Sequence, residues 1–380
     1  MSLTDEIKEY ARHLGFCKIG ITTAQKFERV HEEADLREGY DCWKEKFEKG
    51  ADPRKLLPGA RSVLVLAYDY AQCAFPEKLL PMIGRAYLSG CYLPQPGTPV
   101  YERLQLFEDF LRQKDITFIS DHNTLLMRPA AERAGVASFG RNNFSYVDGV
   151  GSFVILYGYV TDRELDYDSP AVEDKCPPGC RACINACPTK ALYAPYKLDP
   201  AKCIGYNNWI RREGRIDPVI PRDIRSELGC HIHGCDVCQE VCPHNKEKLT
   251  HLYPADEKLE KMAEEFTLEK LLHMPERFYE KCVRPIMYHY LKDKKYFQRN
   301  AAIAMGNSKN TEYVPHLIKE LSNPHEIVRQ HVVWALGETG DDDAMCALRQ
   351  HVKEETCQAV VEEAEIILKN TQAGIYKKYS

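Results

Sequence analysis

Nine of the sixteen cysteines in this 380-residue chain fall between Cys176 and Cys242, and their spacing is that of a metal centre. The first run is Cys176-x3-Cys180-x2-Cys183-x3-Cys187-Pro. A lone Cys203 follows, and then Cys235-x2-Cys238-x3-Cys242-Pro. Thiolates this close suit iron–sulfur chemistry. A tight loop offers three sulfurs to one cubane, and the proline-flanked cysteine of such a run ligates the neighbouring cubane. Applied to both runs, that crossing rule predicts one 4Fe–4S cluster on Cys176, Cys180, Cys183 and Cys242. The second cluster takes Cys187, Cys203, Cys235 and Cys238, and Cys230 is left over. The interval from Cys176 to Cys180 is one residue longer than the ferredoxin motif has, so Cys176 is the ligand that departs from pattern. The alternative is two structural zinc sites, but those pair separated C-x2-C knuckles and do not close long runs with Cys-Pro.

The elements around these thiols fall into three stretches. Residues 166–250 are rich in Cys, Pro, Gly and Arg and poor in periodic runs, which predicts a small ferredoxin-like domain organised by its inorganic ligands. Residues 1–165 mix helices at 3–14, 99–114 and 125–136 with strands at 16–24, 62–70 and 151–162. That is an α/β or α+β domain, with Asp121, Asn123 and Thr124 in the N-cap region of its third helix. Residues 251–380 turn helical. Segments 298–321 and 329–352 align with a period of 31 residues when "AMGNS" is set on "ALGET". Each reads as a helix, a glycine-containing turn and a second helix, the pattern of a HEAT-like α-solenoid, and residues 357–370 supply a capping helix. The whole is α+β.

Charge and hydropathy narrow the function. A net charge of −5 and a pI near 6.3 exclude a generic polyanion binder. Residues 251–380 carry 18 basic against 21 acidic side chains, so contact with nucleic acid needs a local patch. "WIRREGR" (209–215) with Arg222 and Arg225 is the candidate. The longest apolar runs, 62–68 and 152–160, are strand-length and too short to span a bilayer. With no leader segment and this many thiols, a cytoplasmic protein that meets no membrane is expected. No G-x-G-x-x-G follows a strand and no P-loop occurs, which argues against nicotinamide and ATP sites.

The chain resembles the epoxyqueuosine reductases, the cobalamin and iron–sulfur enzymes of tRNA modification, over almost its whole length. The resemblance is carried by "LGFCKIGI" (14–21), "DPRKLLPGARSVL" (52–64), "AERAGVASFGRNN" (131–143) and "GSFVILYGYVTDREL" (151–165). It continues in "KCIGY" (202–206), "GCDVCQEVCPHN" (234–245) and "RNAAIAMGNS" (299–308). It implies an N-terminal domain binding base-off cobalamin, two 4Fe–4S clusters beside it, and a reaction that removes the epoxide oxygen from a queuosine precursor in the anticodon region of tRNA. An external low-potential electron donor is implied as well. By the same resemblance Asp121 stands where the family has its proton donor, with Glu132 and Tyr146 as weaker acid candidates. Arg141, Asn142, Gly151 and Ser152 are implied contacts to the corrinoid or substrate. Met127 occupies a position where the family has glutamate, and "GRAYLSGCYLPQPGTPVYERL" (84–104) replaces a stretch rich in arginine and tyrosine. These departures leave two other readings beside the tRNA enzyme: a corrinoid reductase of a small molecule, and an activator that passes electrons to a partner corrinoid protein.

Overall fold

A computed structural model describes residues 2–28, 44–120, 124–171, 175–208, 219–287 and 293–372. The first half is built on β1 (Lys18–Thr23), β2 (Ser62–Asp69), β3 (Phe118–Ile119) and β6 (Val154–Thr161). A small hairpin of β4 (Ser138–Phe139) and β5 (Ser145–Tyr146) lies between β3 and β6 in sequence. The sheet order is β1-β2-β6-β3 and every pairing is antiparallel. Of the two fold expectations for this half, α+β therefore describes it.

Both faces of the sheet are covered, which is why β2 reads as a continuous apolar run. Leu64 and Leu66 of β2, with Tyr157 and Tyr159 of β6, join the large core formed with Ile7 and Ala11 of the helix Leu3–His13 and Leu104, Phe107 and Leu111 of the helix Pro99–Gln113. Val63, Val65 and Ala67 point the other way, against Ala130, Ala131 and Ala134. Ser2 opens the first helix with a capping box: its Oγ accepts from the Asp5 N–H at 3.2 Å, and the Asp5 carboxylate accepts from the Ser2 N–H at 3.2 Å.

The third helix differs from expectation. It runs Met127–Arg133, its N-cap is Leu126, and no side chain caps it. The Leu126 N–H instead donates to the Gly50 carbonyl at 3.3 Å, so the preceding chain is held by the end of the helix Lys44–Gly50 and the helix starts two residues late. Thr124 is not its cap; Asp121 and Asn123 lie outside the described residues. Met127 packs under the sheet, its Sδ 2.6 Å from where a Cβ on Gly158 would stand.

The last third is a stack of helices: Lys295–Ser308, Val314–Lys319, Glu326–Thr339, Asp342–His351 and Gln358–Gln372. The repeat of 31 residues reappears in the caps. Lys309 and Gly340 both end a long helix in the left-handed region, at φ 56° and 64°. Asn310 and Asp341 follow them and cap the next element with their side chains. The aligned glycines are not turn residues, as the sequence had suggested. Gly306 and Gly337 sit within long helices where the next one crosses: an added Cβ at Gly306 would lie 2.8 Å from Ala335 Cα, and one at Gly337 2.6 Å from Ile367 Cγ2. No helix among the described residues is long and apolar enough to cross a membrane.

Candidate metal centre

Four cysteines converge on one cavity of about 300 Å³ that includes its open mouth: Cys176, Cys180, Cys183 and Cys242. This is the first of the two predicted sets, including the member that crosses from the second run. Cys176 and Cys180 lie on a loop turned by the Cys180 N–H donating to the Pro177 carbonyl at 3.0 Å, and Cys183 lies on the short helix Ala182–Ala186. Cys242 closes the turn after Val237–Glu240, its N–H donating to the Gln239 carbonyl at 3.2 Å. The Arg141 backbone N–H donates to Cys176 Sγ at 3.4 Å, and the Tyr146 hydroxyl donates to Cys242 Sγ at 3.2 Å. Burial above all, and then the hydrogen bond to Cys242, raise the Tyr146 hydroxyl above its ordinary range, so it stays protonated and a donor.

Of the second set, Cys187 is buried, and Cys203, Cys235 and Cys238 are half-buried. Cys187 is 9% exposed and packs with Ile184, Ala191 and Leu192, while Cys203, Cys238 and Leu198 border the same cluster. Burial pushes the Cys235 thiol up to about 12, and Cys203, Asp236 and Cys187 add to the rise. Cys238 is raised well above the usual thiol range by burial, then by Cys235, Cys203 and Cys183. Cys183 of the first set packs in the same cluster as Cys187, which makes the sets neighbours. Cys230 is exposed and belongs to neither. Among the described residues no three His, Cys, Asp or Glu side chains close on a single ion position.

Arg141, Asn142, Gly151 and Ser152 all meet the cysteine loops. Arg141 Nη1 donates to the Cys180 carbonyl at 2.9 Å. Asn142 Nδ2 donates to the Tyr146 hydroxyl at 2.8 Å and to the Cys238 carbonyl at 3.1 Å. Gly151, at φ 94°, lies where a Cβ would be 2.4 Å from Asn245 Oδ1. The Ser152 N–H donates to that same oxygen at 2.8 Å, and Ser152 Oγ is 2.9 Å from Gln239 Oε1. Gly151 therefore brings the backbone against Asn245. Sequence reasoning missed Asn245 and Gln239, and took Tyr146 as a weaker acid candidate where the structure shows it donating to Cys242 Sγ. The position of Asn245, two residues after the Cys-Pro, was the available signal for the first of these.

The expected basic patch is altered. Residues 209–215 lie outside the described residues. Arg225 is 1% exposed, its Nη1 2.8 Å from Glu363 Oε1, and Arg222 pairs with the same carboxylate. These two guanidiniums join the solenoid to the cysteine-bearing segment, and Arg225 is sealed from phosphates. In the β4–β5 hairpin, two buried polar atoms, Ser138 Oγ and Asn143 Nδ2, have no hydrogen-bond partner among the described residues. Unmet polar atoms beside a cofactor centre fit a ligand that brings its own hydrogen-bonding groups.

Residues 176–245 match the family model for the 4Fe–4S double cluster binding domain, and residues 286–369 that for HEAT repeats. The chain is 32% identical over 355 residues to the epoxyqueuosine reductase of Bacillus subtilis, covering 89% of this chain and 88% of that protein. To the epoxyqueuosine reductase of Escherichia coli it is 29% identical over 364 residues, covering 88% and 89%. A crystal structure of epoxyqueuosine reductase with an epoxyqueuosine-modified stem loop of tyrosine tRNA matches with a TM-score of 0.81 at 28% identity, over 97% of this chain and 99% of that one. A Bacillus subtilis structure with its catalytic aspartate loop swung out of the active site matches with a TM-score of 0.81 at 29% identity, over 97% and 98%. With this identity sustained over most of its length, the chain belongs to the epoxyqueuosine reductase family.

Proposed function

We propose that the protein is an oxidoreductase that converts epoxyqueuosine to queuosine in tRNA, with two 4Fe–4S clusters and cobalamin as cofactors. Family membership carries the reading, and the gathering of Cys176, Cys180, Cys183 and Cys242 at one cavity supports the electron path it requires. The reaction takes two electrons and two protons: both C–O bonds of the epoxide break, an alkene forms, and the oxygen leaves as water. Each cluster passes one electron at a time, so two transfers are needed per turnover, and an external low-potential donor refills the clusters. The first set of cysteines holds the cluster that faces the catalytic half, and Cys187, Cys203, Cys235 and Cys238 hold the relay behind it.

Cobalamin would lie against the β4–β5 hairpin, where Ser138 and Asn143 have unmet polar atoms, Arg141 ties the hairpin to the first cysteine set and Asn142 ties it to the second. When bound, it supplies cobalt-centred two-electron reduction. Asp121 is the proposed proton donor, a role supported by the catalytic aspartate loop of the Bacillus subtilis relative. The anticodon region of tRNA is the proposed partner, supported by the stem loop bound in the related structure. Residues 1–165, 166–250 and 251–380 are the proposed catalytic, electron-transfer and solenoid units of a cytoplasmic enzyme. Met127, where the family has glutamate, packs against β6 at Gly158.

The test is anaerobic turnover of tRNA carrying epoxyqueuosine by cluster-loaded protein with cobalamin and a strong reductant, read by nucleoside mass. Loss of one oxygen, dependent on cobalamin, is expected. Unchanged nucleoside with both clusters intact and cobalamin bound overturns the proposal.

A further inference from the structure

The solenoid reaches into the electron-transfer segment through the helix Lys295–Ser308. Its Arg299 and Asn300 are each 1% exposed. Asn300 Nδ2 donates to two carbonyls, Asn208 at 2.9 Å and Ile232 at 2.7 Å. Arg299 Nη2 donates to the Asn207 carbonyl at 3.0 Å, and Arg299 Nε donates to Asn300 Oδ1 at 3.0 Å, which orients the amide. These carbonyls belong to two separate pieces of chain. Asn207 and Asn208 end the helix Ile204–Asn208, which begins directly after Cys203; Ile232 lies three residues before Cys235.

The two pieces are also joined to each other. Asn208 Nδ2 donates to the Gly234 carbonyl at 2.9 Å, and the Gly234 N–H donates to Asn208 Oδ1 at 3.0 Å. Asn207 Nδ2 turns back to the carbonyls of Ala201 at 2.8 Å and Cys203 at 2.9 Å. Three amides and one guanidinium thus meet every named backbone carbonyl across a buried junction. A group in such a network cannot be truncated without leaving buried carbonyls unpaired.

We propose that Asn208, Asn300 and Arg299 are positioning residues of the second cluster: they fix the separation of Cys203 from Cys235, and so make the solenoid a structural part of the electron-transfer centre. The inference rests on the reading that Cys187, Cys203, Cys235 and Cys238 hold a 4Fe–4S cluster. Hydrogen bonding and solvent exposure set cluster potentials, so a loosened Cys203–Cys235 frame changes the potential or the retention of that cluster. The first cysteine set is gripped instead by Arg141 and Tyr146, which makes the effect selective.

The test uses the full chain, reconstituted anaerobically, with Asn300→Ala and the isosteric Asn208→Asp compared with wild type. Iron content, the electron paramagnetic resonance of each reduced cluster and a potentiometric titration are read. In both variants the signal of the first cluster keeps its wild-type potential. That of the second shifts, or is lost together with about half of the bound iron. If Asn300→Ala does not fold, Asn208→Asp decides alone, because it keeps the shape and removes one donor. Two signals at wild-type potentials in a folded variant overturn the inference. A wild-type protein that never shows two clusters overturns the two-cluster reading instead.

Discussion

The solenoid frames one of the two sets of cysteines, while the sheet-bearing half touches both, reaching the second through Asn142 and the Cys238 carbonyl. Cys176, Cys180, Cys183 and Cys242 surround an open cavity and are touched by Arg141 and Tyr146, which come from the hairpin region of the sheet-bearing half. Cys203 and Cys235 are framed by Asn207, Asn208 and Gly234, and that frame is bolted to the solenoid. Burial pushes the Cys235 thiol up to about 12. In the proposed electron path the first set stands nearest the chemistry, and the second is the relay behind it.

Removing one ligand from each set breaks the comparison most severely. Cys183→Ala and Cys238→Ala should each leave a single cluster, of different spectroscopic signature, and both should abolish turnover with external reductant. Matching spectra from the two variants would show that the sets are not independent. Asp121→Asn should lower turnover by about 10²–10⁴-fold, the usual worth of a positioned general acid, with both cluster signals unchanged. If the loss is under about tenfold at every pH, another group supplies the proton.

The solenoid's own stability sharpens the contrast. Arg329 donates to both carboxylate oxygens of Glu355, at 2.7 and 2.9 Å, and holds its carboxyl at about 2, below the ordinary 4.5. A depressed folded value means that this stabilisation is present above pH 4.5 and is lost as the pH falls towards 2. Glu355→Gln should therefore cost about 2 kcal/mol at neutral pH, with the gap to wild type closing in acid. Chemical denaturation at both pH values measures it; a gap that is independent of pH contradicts the assignment. The smallest change expected is in Tyr146→Phe, which removes one donor from Cys242 Sγ. It should move the first cluster to a more negative potential and leave the second where it is.

The cysteine sets were legible in sequence because a cluster motif is local: intervals of two and three residues fix which thiols share a loop. The solenoid period was legible for the same reason, since its caps recur at Lys309 and Gly340. Its glycines were misread because a glycine in a turn and one at a helix crossing look alike until the crossing helix is seen. Arg225 was misread as part of a basic patch because its partner, Glu363, is 138 residues away. Arg141, Asn142, Gly151 and Ser152 were recognised as important by motif, but a motif does not name the neighbour. For Arg141 that neighbour is the first cysteine run, and for the other three it is the second, through Cys238, Gln239 and Asn245.

The central claim is that the cysteine-bearing segment is a wire into a site that deoxygenates epoxyqueuosine. The most direct measurement loads the protein with clusters and cobalamin, reduces it fully, strips the reductant, and mixes it anaerobically with epoxyqueuosine tRNA. A burst of queuosine proportional to enzyme, followed by no further product until reductant returns, is the predicted result. No burst from protein whose clusters are verified as reduced and whose cobalamin is bound would contradict it.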